Sequence, residues 1–458
     1  MKYTINTTNF RDFNVAEINK LSPRAYFVPY ASKENLCEQN VLTERYNSSM
    51  VTILNGEWDF KYYDKDMLIP KEFYTDRVQF DKVNVPSTWQ RTGYREPCYL
   101  NTRYEFNPKL YPEMPEDVPM GVYRKFINID NLDKVYILTF MGVISSLDLY
   151  INGEFVGYAE DSFTPSEFDL TPYIKEKGNI LAVEVHKMST AAFLEDQDFF
   201  RFFGIFRNVS LKAKPDVHVE DLWIKPLLNT DNVSGKLVVD IKASSTVDRN
   251  FSANVILKDA EKQVVLVKKA SFAKDGDEYI ACVEADVDEV TLWDNHNPYL
   301  YEVTVEILDE EGGLLEIVPY EVGFRRIELI DKLMYLNGKR LVLVGVNRHE
   351  WSPKTGRCIG MEEMESDMEC IVRNNMNAVR TCHYPDQIPW YYMCDKNGIY
   401  MMAETNLESH GSFQKLGAIE PSWNVPGSVS QWKEAVVDRA RTNFETFKNH
   451  TSVLFWSL

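Results

Sequence analysis

Asn377-Ala-Val-Arg380-Thr-Cys-His383-Tyr-Pro385, with Trp390-Tyr-Tyr-Met-Cys-Asp-Lys-Asn-Gly398 and Ile399-Tyr-Met-Met-Ala403 after it, decides the fold of this 458-residue chain. A short apolar strand, a polar outlet, a helix closed by glycine and a second apolar strand make one βαβ unit. Arg380 and His383 come after the first strand, and Glu404, Asn406, Glu408 and His410 come after the second. In a parallel α/β barrel, residues just past the strand ends face the substrate.

The same alternation continues on both sides. Leu341-Val-Leu-Val-Gly-Val346 is a continuous apolar run, which predicts a strand buried on both faces. Met361, Met364, Met368, Ile371 and Val372 recur at helical spacing. Trp432, Val436, Ala440, Phe444 and Phe447 stripe a further helix with Ser430 as a candidate N-cap, and Val453-Leu-Phe-Trp456 is a fourth strand. Residues 328–458 are therefore expected to form (βα)₃β, the first half of an eight-fold TIM barrel. Half a barrel has an open parallel edge and a bare apolar sheet, a poor free-standing structure.

Upstream the period drops to two. Leu54-Asn-Gly-Glu-Trp-Asp-Phe60 and Leu147-Asp-Leu-Tyr-Ile-Asn-Gly-Glu-Phe-Val156 pair short apolar runs with Asn-Gly, a type I′ hairpin signal, so residues 1–215 are expected to be a β-sandwich. Lys236–Ile241, Asn254–Leu257 and Tyr301–Ile307 are strands of a second, immunoglobulin-like sandwich over 216–327, with a spacer role. Leu336-Asn-Gly338 closes one more hairpin before the barrel pattern begins.

The 50 Lys and Arg against 69 Asp and Glu give a net charge of −19, which argues against nucleic acid or an anionic membrane as main partner. Seven cysteines, at 37, 98, 282, 358, 370, 382 and 394, include no CxxC pair and are expected to be reduced thiols of a cytoplasmic protein. Met1–Phe10 lacks a cationic start with an apolar core, and no run of about 18 apolar residues occurs. Secretion and membrane spanning are not expected.

Four of the seven histidines, at 349, 383, 410 and 450, fall in the barrel segment, with Asn347, Arg348 and Glu350 beside the first. A lone histidine near a strand end is more often structural than functional. Three successive strands delivering polar side chains to one rim argue for a site, and acids, histidines and an arginine without a phosphate loop or a serine elbow suit carbohydrate chemistry. Glu408 and His410, two apart in an extended loop, can point at one cation, Mg²⁺ or Mn²⁺ by donor type. Glu404 and Glu408 are an alternative acid/base pair. In Leu194-Glu-Asp-Gln-Asp-Phe-Phe-Arg201, three carboxylates beside paired aromatics read either as a solvated loop or as a place for sugar or cation.

Asn377 through Met402 resembles the first signature of glycoside hydrolase family 2, and Lys448-Asn-His-Thr-Ser-Val-Leu-Phe-Trp456-Ser457 resembles the opening of the second. Val85-Pro-Ser-Thr-Trp89-Gln, Val156–Asp169, Glu195-Asp-Gln-Asp198 and Gly204-Ile-Phe-Arg207 are similar to the large bacterial β-galactosidases of that family. The resemblance implies a jelly-roll sugar-binding sandwich, an immunoglobulin-like domain and a TIM barrel, with retaining hydrolysis of terminal β-D-galactosyl residues. It implies substrate binding by Asn101, Asp198, His349, Arg380 and His383, Mg²⁺ (or Mn²⁺) at Glu408 and His410, Na⁺ at Asp198, and a homo-oligomer when complete. Phe199-Phe200 departs from a Met-Trp pair common in relatives. The second signature continues in relatives to the acid/base Glu, and the nucleophilic Glu lies further on. This sequence ends at Ser457-Leu458, so the polypeptide alone is expected to lack both catalytic carboxylates and to be inactive. A non-catalytic galactose-binding fragment, or an assembly fragment needing a second chain, is the alternative.

Overall fold

The computed structural model describes residues 8–37, 42, 45–101, 104–106, 114–247, 249–410, 426–427 and 430–458; of the N-terminal stretch read above, residues 1–7 lie outside it, as does the Cys37 side chain. The first unit is built from a seven-stranded and a four-stranded antiparallel sheet. Strands Ser146–Ile151, Asn179–His186 and Met120–Ile127 form the middle of the larger sheet. Val135–Phe140 and Val209–Lys214 form the middle of the smaller one. Trp58, Phe60, Leu138, Leu149, Val183 and Ile205 are buried between the sheets, because alternate residues of each strand face the partner sheet.

The Asn-Gly signals divide. Asn152 and Gly153, at φ 50 and 82, make the predicted type I′ hairpin, as do Asn337 and Gly338 at φ 52 and 74. Asn55-Gly56 does not. Only Gly56 has positive φ there, and the strands on either side, Val51–Ile53 and Gly56–Tyr63, belong to different sheets, so the glycine turns the chain across the sandwich.

The second unit stacks two four-stranded sheets around Leu237, Val239, Val255, Val305, Val318 and Tyr320. Glu278–Val287 alternates buried and exposed residues along its length, the period-two signature of a sheet with one wet face.

Four parallel strands then run in sequence order: Gly345–Arg348, Ala378–Thr381, Tyr400–Glu404 and Val453–Ser457. Helices Met361–Arg373, Ile388–Asn397 and Trp432–Phe447 lie between them. Trp390, Tyr391, Met393 and Met401 form their common core, which also takes in Tyr26, Val28 and Tyr30 from the N-terminal segment. The Ile388 helix ends at Gly398, whose φ of 66 supplies the left-handed cap.

Three expectations are corrected here. The run 341–346 is not a strand buried on both faces: the first parallel strand begins at Gly345, and Val342 and Val344 are more than half exposed. That strand is the sheet's edge among the described residues, so no neighbour covers the run. Ser430 does not cap the last helix; Gln431 is its N-cap residue, without a side-chain cap bond, and the Ser430 hydroxyl lies 3.2 Å from the Gln431 side chain. The buried face of that helix is also largely polar, with Arg439, Thr442, Asn443 and Thr446 joining Trp432 and Phe447, while Val436, Ala440 and Phe444 are half-buried.

Candidate functional site

The carboxyl ends of the second and fourth parallel strands converge on Glu404, at the end of the third. Its Oε1 accepts from Arg380 Nη2 at 2.8 Å and lies 2.7 Å from His383 Nδ1. Its Oε2 accepts from Arg380 Nε and, at 2.9 Å, from the Ser457 hydroxyl on the fourth strand. Parallel pairing sets this up, since Val379 faces Met401 and Arg380 faces Met402 in register, so each strand delivers its terminal side chain to the same height. Burial on its own would raise Glu404, but hydrogen bonds from His383, Arg380 and Ser457 outweigh it and hold the carboxyl below its ordinary range. Glu404 is therefore an ionised anchor with both oxygens engaged.

His349, just past the first strand, has Nδ1 3.1 Å from the Tyr384 hydroxyl and its ring 5.7 Å from that of His383. Burial, then the charges of Arg357 and His383, push it down to about 4. It is a neutral imidazole near pH 7, suited to hydroxyl recognition. Arg380 and Glu404, His383 and His349 thus come together as the sequence predicts.

Asp198 and Asn101 reach this rim from the sandwich. Phe199–Arg201 pairs antiparallel with Cys98–Leu100, Phe199 opposite Leu100, so Asp198 and Asn101 share one end of that ribbon. Tyr99 donates its hydroxyl to Asp198. Asp198, His349, Tyr99, Phe200, Trp351 and Arg357 line a pocket of about 340 Å³. Its aromatic walls and few convergent polar groups are the make-up of a sugar site.

The carboxylates at 195–198 do not form a solvated loop. Glu195 and Asp196 are buried, Asp196 on Arg201 at 2.6 Å and Glu195 on Arg439 at 2.6 Å, and only Asp198 is exposed. Glu195–Asp196 pairs in parallel with Glu408–Ser409, which ties the loop after the third strand to the sandwich. Asn406 completes the joint, donating to Asp161 at 2.7 Å and Glu195 at 2.8 Å and accepting from Gln197 at 2.7 Å. Arg207 crosses the same interface to Glu350 at 3.1 Å and the Pro385 carbonyl at 2.8 Å. Sequence reasoning missed Asp161, Arg207 and Arg439 as parts of this frame, as well as Tyr99, Trp351 and Arg357 in the pocket.

Glu408 and His410 do meet, Glu408 Oε1 against His410 Nε2, while His410 Nδ1 lies 3.1 Å from the Asn101 carbonyl. Glu408 Oε2 is buried without a hydrogen-bond partner among the described residues. An orphaned carboxylate oxygen beside an imidazole fits a cation better than it fits solvent. Burial raises the Glu408 pKa, and the charge of Glu404 adds to that against His383 and His410. A second possible ligand group, His349, Cys382 and His383, has donor atoms within 4.8 Å of one another. Burial pushes the Cys382 thiol up to about 12.

Family models match each of these three units. The sugar binding domain of glycosyl hydrolases family 2 covers residues 51–215, a further domain of the same family covers 217–325, and its TIM barrel domain covers 327–458. The beta-galactosidase large subunit of Lactobacillus acidophilus is 46% identical over 434 residues, covering 90% of this chain and 68% of that protein.

The chain belongs to glycoside hydrolase family 2.

Within the family, the beta-galactosidase of Halalkalibacterium halodurans is 42% identical over 466 residues, and this chain spans 45% of its length. Among solved structures, Bifidobacterium dentium beta-glucuronidase superposes with a TM-score of 0.72 at 21% identity, over 89% of this chain and 67% of that one, a likeness of fold. No helix among the described residues is long and apolar enough to cross a membrane, and the six cysteines with described side chains are free thiols.

Proposed function

We propose that this chain is the sugar-binding part of a β-galactosidase that hydrolyses terminal β-D-galactosyl residues with retention. The reading rests on one observation above all: Glu404 is clamped by Arg380, His383 and Ser457, and the His383 ring lies 5.7 Å from that of His349, which lines a pocket together with Asp198. The relatives' names favour galactosides. Asn101, Asp198, His349, Arg380 and His383 bind the galactosyl hydroxyls. Glu408 and His410 hold Mg²⁺ or Mn²⁺, which supplies positive charge at the rim, and Asp198 contributes to a Na⁺ site. The jelly-roll connectivity of the first unit and the half-barrel nature of the last belong to the same proposal.

The described rim carboxylates do not serve as the catalytic pair. Retention needs an acid and a nucleophile about 5–5.5 Å apart, whereas Glu404 is saturated by donors, Glu408 is engaged by His410 and Glu350 is buried on Arg207. The polypeptide alone therefore binds galactose without cleaving its glycosides, and the bond-breaking carboxylates come from elsewhere in the assembled enzyme. This chain spans 68% of the Lactobacillus acidophilus large subunit, and the remaining third of such a subunit is the first place for them; an assembly fragment needing a second chain, or a purely galactose-binding module, is the other reading.

The experiment is titration calorimetry of the 458-residue chain with galactose, isopropyl β-thiogalactoside and glucuronic acid, alongside an aryl-galactoside assay. Millimolar or tighter binding of the two galactosyl ligands, lost in Asp198→Ala, with negligible turnover, is expected. Glucuronic acid binding in their place refutes the substrate class, and brisk turnover refutes the division of labour.

A further inference from the structure

On the outer face of the seven-stranded sheet, away from the rim, Asp148 and Glu184 sit directly opposite each other on paired antiparallel strands. Like charges in that position repel. Both side chains have zero exposure, as does His186 two residues along the same strand. Neither carboxylate has a Lys or Arg partner among the described residues; the single ion contact is His186 Nε2 to Asp148 Oδ2 at 3.4 Å. One protonated imidazole neutralises at most one of the two acids. A net negative charge buried in an apolar setting, among Phe10, Tyr150 and Tyr158, is not sustainable without a counter-ion or a proton.

The hydrogen bonding is divided in a particular way. Each of the three side chains has one polar atom hydrogen-bonded from outside and one atom without a hydrogen bond among the described residues. Asp148 Oδ1 accepts from Asn9 Nδ2 at 3.0 Å, Glu184 Oε2 accepts from the Tyr150 hydroxyl at 3.2 Å, and His186 Nδ1 lies 3.0 Å from the Ser146 hydroxyl. The other atoms, Asp148 Oδ2, Glu184 Oε1 and His186 Nε2, are buried and lack hydrogen bonds among the described residues, the 3.4 Å approach of His186 to Asp148 being an ion contact without hydrogen-bond geometry. One ligand atom from each residue falls within 4.8 Å of the others. Outer partners that fix the orientation of two carboxylates and an imidazole, with the inner lone pairs left over, are the second shell of a metal site.

We infer that Asp148, Glu184 and His186 bind a divalent transition cation, Zn²⁺ or Mn²⁺, in a buried three-ligand site on the covered outer face of the seven-stranded sheet. Two oxygens and one nitrogen suit these ions, with bonds of about 2.0–2.2 Å that small side-chain rotations from the present spacing would reach. The cation cancels the cross-strand repulsion. It also pins the N-terminal segment, because Asn9 holds Asp148 and the Phe10 ring stacks on His186 at 4.4 Å between centroids.

The test starts from Glu408→Gln protein, so that the rim pair does not contribute, stripped by chelator dialysis. ZnCl₂ or MnCl₂ is then added, excess ion removed, bound metal counted by mass spectrometry and melting followed by scanning fluorimetry. One equivalent retained, with a melting rise of about 5 °C or more, is expected, both lost when Glu184→Gln or Asp148→Asn is added. Should those variants fail to fold, Co²⁺ loaded into the Glu408→Gln parent must show the absorption bands of a His- and carboxylate-ligated ion. Metal-free parent with no melting response, or equal retention by Glu184→Gln, overturns the inference; the acids then share a proton.

Discussion

Arg439→Met tests how the barrel loop is held against the sandwich. The Arg439 guanidinium has 3% side-chain exposure, donates to Glu195 Oε1 at 2.6 Å and the Asn406 carbonyl at 3.0 Å, and lies 3.6 Å from Asp161. Removing one member of a buried ion pair costs about 3–5 kcal/mol, because the other charge stays buried. Two acids are orphaned in part here, but both keep donors. Glu195 retains Ser162 N at 3.1 Å and Asn406 at 2.8 Å, and Asp161 retains the Thr164 hydroxyl at 2.7 Å. The loss is therefore placed at the lower end, about 3 kcal/mol, which for a unit of 150–250 residues is a melting drop of roughly 6–12 °C.

Differential scanning fluorimetry reads the shift, and Glu195→Gln/Arg439→Met supplies the control. With both charges gone the double variant recovers at least half of the loss. Because Glu195 pairs with Glu408 and Arg439 holds the Asn406 carbonyl, Mn²⁺ affinity at the rim should fall with Arg439→Met as well. A melting change under 2 °C, or a double variant less stable than the single one, refutes the reasoning.

Glu160 is held up to about 7 by burial, with Glu195 adding and Tyr158, Thr190 and Arg439 opposing, against an ordinary value of 4.5. Its folded pKa lies above its unfolded one, so the contribution is fully present below pH 4.5 and is lost as pH rises through about 7, some 3 kcal/mol in all. Glu160→Gln should remove that slope, gaining on the parent in urea melts between pH 5 and pH 8; a constant difference counts against it. Gly398→Ala forces φ 66 on a residue with a side chain and brings Cβ to 2.8 Å from Asn295 Cα and 3.0 Å from the Asp294 carbonyl oxygen, so a loss of about 2 kcal/mol or more is expected in thermal melts. Arg380→Ala removes both guanidinium bonds to Glu404; since Arg380 is one-third exposed, the expected cost is about tenfold in galactose affinity by calorimetry, and unchanged affinity would take Arg380 out of the site.

The order of elements was legible because periodicity is a local property. The switch from period two to helical spacing near residue 340 and the glycine after Asn397 require nothing beyond neighbouring residues. Asn55-Gly56 failed for the complementary reason: two strands flanking a turn signal pair only if both belong in one sheet, which long-range packing decides. The run 341–346 failed likewise, since apolar composition states what a strand can bury and not whether a neighbour arrives to bury it.

The rim shows the same division more sharply. Arg380, His383 and Glu404 could be placed because a parallel sheet converts strand ends into a shared rim, whatever the side chains do next. Their roles could not, because Glu404 reads from sequence as a free acid and becomes a clamped anion only when Arg380, His383 and Ser457 arrive from three other points of the sheet. Arg439 lay in a stretch read by its apolar stripe, yet the helix turns a polar face inward because what it meets there is Glu195 and Asn406 rather than hydrocarbon. The buried acids of this chain are thus assigned by their partners: Glu195 to a joint, Glu404 to an anchor, and Asp148 with Glu184, which have no Lys or Arg beside them among the described residues, to an ion of their own.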